Sequence, residues 1–387
     1  VTTLGVLGGG QLGRYTVIAA HELGVRTVVL DPDVDSPAGR LAHRHLVAAY
    51  DDASAVAELA AECDVVTTEF ENPPAASLDS LGASVVVRPS AAAVAVCQDR
   101  RAEKRFATQH RLPAGPYTVI ETMGDADAAA TQGHLLFPAR LKTAREGYDG
   151  KGQLVVDRPD QLTAAWRSLG AVPCVLERQQ ELATELSVLV ARTHDGLTTT
   201  WPVMENRHDH GILTLTVVPA TVTAAVAVRA VALAERIAVA LAYVGVMAVE
   251  LFVTVDGEVL VNELAPRPHN SGHWTLDACV TSQFEQQVRA ALGLTLGTTA
   301  MTAPAAAMVN LLGDLWPEGR APDWTPVLAH PAAKLHLYGK AVARPGRKMG
   351  HVTVVGDDPT RCRDDALAIL DALRRAARSG EGHAGRR

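Results

Sequence analysis

At 387 residues, 48% of them hydrophobic and only 4% aromatic, the chain is long enough for about two to four domains with aliphatic cores, which excludes a disordered chain and a disulfide miniprotein. Its 36 basic and 43 acidic residues give a net charge of −7, so no global field draws nucleic acid or an anionic membrane, and any anionic ligand must be caught locally. Five well-separated cysteines (Cys63, Cys97, Cys174, Cys279, Cys362) without a C-x-x-C pair predict reduced thiols in the cytoplasm rather than a disulfide frame or a zinc site.

Thr3–Gly8 is an apolar run that enters Gly8-Gly9-Gly10-Gln11-Leu12-Gly13 in place of a basic, apolar leader. Arg14–Leu23 then has helical spacing and Thr27–Leu30 is a second strand, a βαβ opening. Strand-like pieces at Val65–Thr68 and Val85–Val87, set around the alanine-rich Ala53–Ala61, extend it into a doubly wound parallel sheet predicted for residues 1–110. Gly8, Gly10 and Gly13 fit G-x-G-x-x-G, and Asp31 follows 18 residues later, the arrangement of a nicotinamide-dependent oxidoreductase. Glycines at such a turn guarantee only a close backbone approach and open helix amides, which suit a sugar phosphate equally well.

Leu112-Pro113-Ala114-Gly115-Pro116 reads as a linker into a small central subdomain predicted over 111–172. There Lys142 closes the apolar piece Phe137–Leu141, and Thr143–Gly152 carries three glycines and Lys151, the composition of a loop that covers phosphates. Glu177 and Glu185 follow, placed to accept from an adenine amine or a ribose hydroxyl. A third, α+β region is predicted over 173–378, with strands at Cys174–Glu177, Leu186–Val190, Gly245–Val253 and Glu258–Asn262 and a helix over Val228–Leu241. The apolar stretch from Thr221 to Val249 is interrupted by Arg229, Glu235 and Arg236, so no membrane span is predicted, and residues 379–387 read as a disordered polar tail.

The strongest constellation is a hairpin. Met247–Val253 and Val259–Asn262 flank Asp256-Gly257, a two-residue turn signal whose register sets Glu250 opposite Glu263, with Cβ atoms roughly 4.5–5.5 Å apart. Two facing carboxylates need a proton or a cation between them, and with the Asn262 amide oxygen they suit Mg²⁺, or Mn²⁺, shared with nucleotide phosphates. The competing readings are a solvated edge strand and a retaining glycosidase pair, the latter without an aromatic sugar platform. His269 and His273, and the run His208-Asp209-His210, read as hydrogen-bonding histidines rather than zinc ligands. Lys340, Arg344, Arg347 and Lys348 around Pro345-Gly346 form a local cationic patch suited to an anion.

Together, residues 8–14 (GGGQLGR), 147–153 (GYDGKGQ), 262–274 (NELAPRPHNSGHW) and 344–351 (RPGRKMGH) resemble the N5-carboxyaminoimidazole ribonucleotide synthetases, ATP-grasp ligases of bacterial and fungal purine synthesis. The resemblance implies an α/β and α+β architecture, an ATP-grasp fold behind an N-terminal doubly wound, Rossmann-like domain, acting on ATP, bicarbonate and aminoimidazole ribonucleotide, with a homodimer as its assembly. ATP contacts would fall on Arg100, Lys142, Gly147, Tyr148, Asp149, Gly150, Lys151, Gly152, Gln153, Glu177, Glu185, His208, Asn262 and Glu263, and metal on Glu250 and Glu263. Substrate would meet Gln11, Leu12, Glu71, Tyr148, Asp149, Asn270, Lys340 and Arg347, with Arg267 as bicarbonate clamp, Lys142 neutralising phosphoryl charge, and His273 or Asp149 relaying a proton. Thr214-Leu215-Thr216 and Arg145-Glu146 depart from the pattern. Another ATP-grasp carboxylase or ligase with a different acceptor, and the oxidoreductase, are the alternatives.

Overall fold

The computed structural model describes residues 1–131, 137–147 and 150–384, with side chains described as far as residue 377. Within those residues the chain forms three sheets. The first is parallel, in the order Arg44–Leu46, Arg26–Leu30, Thr3–Leu7, Val65–Thr68, Val86–Val87. Its inner strands are apolar and buried along nearly their whole length, as a sheet covered by helices on both faces requires. The helix Gln11–Glu22 packs its buried side, including Leu12, Tyr15 and Val17, against this sheet and the helix Gln283–Leu292.

The second sheet is small and antiparallel, in the order Tyr117–Ile120, Cys174–Arg178, Ala139–Thr143, Gln153–Val156. The strand Cys174–Arg178 therefore belongs to the central subdomain, beyond the 172 boundary expected for it. It pairs on both sides and buries Cys174, Val175 and Leu176 completely, so it is the middle of this sheet rather than the start of the next.

The third sheet carries the metal-type hairpin at one end. Its order is Val259–Ala265, Gly245–Thr254, Leu182–Arg192, Met204–Asp209, Ile212–Val218, Ala305–Leu312, Lys348–Gly356, Ala333–Leu337, with Thr198–Thr200 added on Leu182–Arg192. The amphipathic helix Ala224–Ala240, capped by the Thr223 hydroxyl, covers the hairpin end through Ala230, Leu233, Ala234 and Ile237. The helix Pro359–Ala384 covers the other end and continues through residues expected to lie in a polar tail; residues 385–387 lie outside the described ones. Among the described residues no helix is long and apolar enough to cross a membrane, and all five cysteines are free thiols.

Candidate active site

Glu250 and Glu263 face each other across the hairpin as expected, but by a different route. The loop has three residues, Val255, Asp256 and Gly257: Thr254 takes the Glu258 carbonyl at 3.0 Å, and Gly257 is left-handed at φ 82°. Pairing from the loop runs Val253 to Val259 and Leu251 to Val261, which by strict alternation would set Glu250 opposite Asn262. A β-bulge between Glu250 and Leu251 restores Glu263 to that position and leaves Asn262 as the extra residue. Asn262 and Glu263 thus stand together, half-buried, between the buried Val261 and Leu264.

Neither carboxylate is solitary. Glu250 accepts from His269 Nε2 at 3.1 Å, and Glu263 takes both terminal nitrogens of Arg100 at 3.1 Å. Burial pushes the Glu250 carboxyl upward, but the hydrogen bond and charge of His269, with His208 and Lys348 behind it, hold it down at about 2. The Asn262 carbonyl oxygen Oδ1 is buried with no hydrogen-bond partner. Two anionic oxygens beside an unsatisfied neutral one fit a hard divalent cation, which is the chemistry expected of these residues.

Arg100 begins the helix Arg100–Gln109, capped by Asp99, and Glu103 and Lys104 lie three and four positions on, along the same face. Lys104 is only 2% exposed, and its Nζ lies 3.3 Å from Glu177 Oε2, the oxygen that Lys142 Nζ also reaches at 3.3 Å. Glu177, expected to meet adenine or ribose, has one carboxylate oxygen between two ammonium groups and the other buried without a partner. Burial opposes its charge, yet Lys142, Lys104 and Arg100 bring its carboxyl down to about 2, while burial lowers Lys142 from its ordinary range. Glu103 accepts from the Leu264 amide at 2.9 Å and so pins the bulged strand beside Glu263; burial raises its carboxyl to about 7.

The described part of the glycine loop runs from the small sheet to the large one. Lys142 pairs with Gln153, and the Thr143 amide donates to the Gly152 carbonyl at 2.8 Å. Gly150 adopts φ 79°, and a Cβ there would lie 2.5 Å from the His210 carbonyl, so the loop backbone meets the turn Asp209–Gly211 of the large sheet. Glu185 and His208 form an ion pair at 2.5 Å on neighbouring strands, and although burial opposes it, Glu185 and Glu250 keep the imidazole above its ordinary range. Gly147 and Lys151 lie in the described loop; Tyr148 and Asp149 lie outside the described residues.

The glycine turn after the first strand is not a dinucleotide site. Asp31 Oδ2 accepts from the Gly9 amide and the Tyr50 hydroxyl, both at 2.6 Å, and Oδ1 accepts from the Asp33 amide at 2.8 Å. Both Asp31 oxygens are thus engaged inside the fold and the side chain is only 6% exposed, which opposes the ribose contact that a dinucleotide site makes at this position. The turn faces the cationic end of the large sheet instead. Tyr15 lies edge-on to His336 and Tyr338, and a Cβ on Gly339 would lie 3.8 Å from Arg14 Nη1. Lys340 donates to the Lys348 carbonyl and Arg347 to the Val342 carbonyl, both at 2.7 Å, which fixes the turn that carries them.

Two expected roles change, those of Asn270 and His273, and a third residue, Arg267, is held by a partner. Arg267, the expected bicarbonate clamp, is ion-paired with Glu71 across the domain junction, so Glu71 orients the guanidinium in this state. Asn270 is buried and exchanges hydrogen bonds with Asn310 at 3.0 and 2.6 Å, leaving it a structural pair rather than an exposed substrate contact. His273 is fully buried among Tyr15, Phe284, Tyr338 and His351, and burial lowers its imidazole far below the ordinary range, so it is packed away from any proton relay at the cleft. Lys104 and Glu103 carry no role in the sequence reading, although the i, i+3, i+4 spacing of Arg100, Glu103 and Lys104 is a signal for both; His269, expected to hydrogen-bond, does so to Glu250.

Residues 1–98 match the ribonucleotide synthetase preATP-grasp domain, 105–284 the ATP-grasp domain, and 306–365 the phosphoribosylaminoimidazole carboxylase C-terminal domain. The chain is 43% identical over 354 residues to the N5-carboxyaminoimidazole ribonucleotide synthase of Brucella melitensis, covering 91% of this chain and 96% of that one, and 42% identical to the Bacillus subtilis enzyme, covering 90% of each. Among solved structures, an N5-carboxyaminoimidazole ribonucleotide synthetase in complex with ADP superposes with a TM-score of 0.89 at 39% identity, over 96% of this chain and 97% of that one. The Aspergillus clavatus enzyme with ADP and 5-aminoimidazole ribonucleotide superposes with the same TM-score at 31% identity, over 97% and 99%.

Proposed function

The chain belongs to the N5-carboxyaminoimidazole ribonucleotide synthase family of ATP-grasp ligases, and from that premise we propose how its own residues carry out the ATP-dependent carboxylation of 5-aminoimidazole ribonucleotide. The observation that carries the assignment is the junction of the two ATP-grasp sheets. There Arg100, Lys104 and Lys142 meet Glu177 and Glu263, next to the opposed Glu250.

ATP lies between the small and large sheets, with its phosphates under the loop Gly147–Gln153 and toward Lys142 and Arg100, and its adenosine toward Glu177, Glu185 and His208. A bicarbonate oxygen attacks the γ-phosphorus, the bond to the β-phosphate oxygen breaks, and carboxyphosphate and ADP result. Lys142 and Arg100 neutralise the charge that develops on the phosphoryl oxygens. Glu250 and Glu263, with the unsatisfied Asn262 oxygen, would hold Mg²⁺, which when bound neutralises phosphate charge. Arg267, a planar fork, receives the planar bicarbonate once Glu71 turns to the aminoimidazole.

The loop over the phosphates keeps water from the mixed anhydride until the exocyclic amine of the ribonucleotide attacks its carboxyl carbon, expelling phosphate, which takes up the amine proton. Gln11 and Leu12 amides, with Lys340 and Arg347, receive the ribonucleotide's phosphate. The meeting of the first helix with the Tyr338–Lys340 segment supports this, since it brings the two separate sequence motifs to one side of the cleft. We read the protein as a homodimer, and free thiols accord with a reducing cytoplasm.

The test is ADP release followed with ATP and bicarbonate, with and without aminoimidazole ribonucleotide. Turnover that requires the ribonucleotide supports the assignment; turnover indifferent to it, or none, rejects it.

A further inference from the structure

The three fingerprint glycines share one neighbouring side chain, Glu69, although Gly8 also has φ 106° and a Cβ on Gly13 would first meet the Gly8 carbonyl at 2.8 Å. A Cβ on Gly8 would lie 2.5 Å from Glu69 Cγ, on Gly10 2.8 Å from Glu69 Oε1, and on Gly13 3.2 Å from Glu69 Cγ. The Gly13 amide donates to Glu69 Oε2 at 3.1 Å, and the Gly10 amide is directed at the same carboxylate. The Gly8 amide is taken by the Leu30 carbonyl at 3.0 Å and the Gly9 amide by Asp31. The acceptor in this phosphate-type cradle is therefore the protein's own.

We propose that Glu69 is the positioning residue of the ribonucleotide pocket: an internal carboxylate that fills the glycine cradle and so leaves the amides of Gln11 and Leu12 as the donors offered to substrate. This rests on the reading that the ribonucleotide binds at this turn. Glu69 lies in the segment after the strand Val65–Thr68, anchored by its own amide to the Leu7 carbonyl at 3.0 Å, so its position is set by the parallel sheet. With the two flanking amides satisfied from inside, the cradle has no room for a second bound phosphate, and it selects a single phosphate ester over a dinucleotide's pyrophosphate.

Steady-state kinetics of Glu69→Ala, Glu69→Gln and Gly10→Ala test it, with Lys340→Met as the control for the pocket. Loss of hydrogen bonds to a charged group corresponds to roughly a 10- to 100-fold effect, so Glu69→Ala should raise KM for aminoimidazole ribonucleotide by that factor while KM for ATP stays within about twofold. Glu69→Gln, which keeps an acceptor oxygen, should recover most of the loss. Gly10→Ala supplies the perturbation from the other side should Glu69→Ala not fold: Gly10 has φ −71°, which alanine adopts freely, and the three atoms nearest the added Cβ all belong to the Glu69 carboxylate. An unchanged KM for the ribonucleotide in Glu69→Ala and Gly10→Ala, or equal rises in both KM values, overturns the proposal. Should Lys340→Met also leave the ribonucleotide KM unchanged, it is the placement of the ribonucleotide at this turn that has failed.

Discussion

Lys104 is the residue whose removal discriminates best between a packed helix and a working electrostatic site. At 3.3 Å from Glu177 Oε2, its attraction is about 5 kcal/mol at an effective dielectric of 20. Most of that is offset by the desolvation of a nearly inaccessible ammonium and by repulsion from Lys142 and Arg100. Lys104→Met keeps the length of the side chain and leaves Glu177 with Lys142 as its partner, so the expected net loss is about 2 kcal/mol rather than the 3–5 of an orphaned buried charge. The functional effect follows from the same geometry. Glu177 then holds Lys142 alone and more tightly, and Lys142 is less available to phosphates, so KM for ATP should rise about tenfold with KM for the ribonucleotide unmoved. Urea denaturation at pH 7 reads the first effect and initial-rate ADP release the second. A variant with wild-type stability and wild-type KM for ATP would show that Lys104 does not share Glu177 with Lys142.

Glu263→Gln should reduce ADP release by roughly 100-fold or more at saturating substrates, and a wild-type rate across a Mg²⁺ titration would reject its role as metal ligand. The Glu177 carboxyl, held at about 2 against an ordinary 4.5, binds its proton more weakly folded than unfolded. Its contribution, on the order of 3 kcal/mol, is complete above about pH 4.5 and lost as pH falls toward 2, so acid denaturation of Glu177→Gln should be flatter across that window, and equal curves would refute the pairing. Gly257→Ala should cost about 1 kcal/mol by denaturant midpoint, because no atom lies within 4 Å of the added Cβ and the left-handed backbone alone opposes it; a neutral result would mean the loop relaxes out of that conformation.

The parallel sheet and the acidic hairpin were legible because their signals are local: apolar runs ended by glycines, and two short strands around Asp256-Gly257. The large sheet's far half was not, since Ala305–Leu312 is buried at seven consecutive positions and so lacks the alternation that marks a strand. The bulge left a trace that periodicity could have caught: the buried positions run Val259, Val261, then Leu264, a step of three in a chain that otherwise steps by two. What no local pattern contains is pairing between distant segments. Arg267 with Glu71, Asn270 with Asn310 and Arg100 with Glu263 are 196, 40 and 163 residues apart, and each decides which side chains stand free at the cleft.

The surplus residue at Asn262 has a practical meaning for anyone transplanting this hairpin into another scaffold. Regular pleating sends neighbouring side chains to opposite sides, whereas the bulge sets two consecutive ones, Asn262 and Glu263, against the single cation we propose for this hairpin. On that proposal, trimming the strand to an even count would preserve the sheet and the opposed glutamates yet discard one of three proposed oxygen donors, a loss that a faultless backbone would hide.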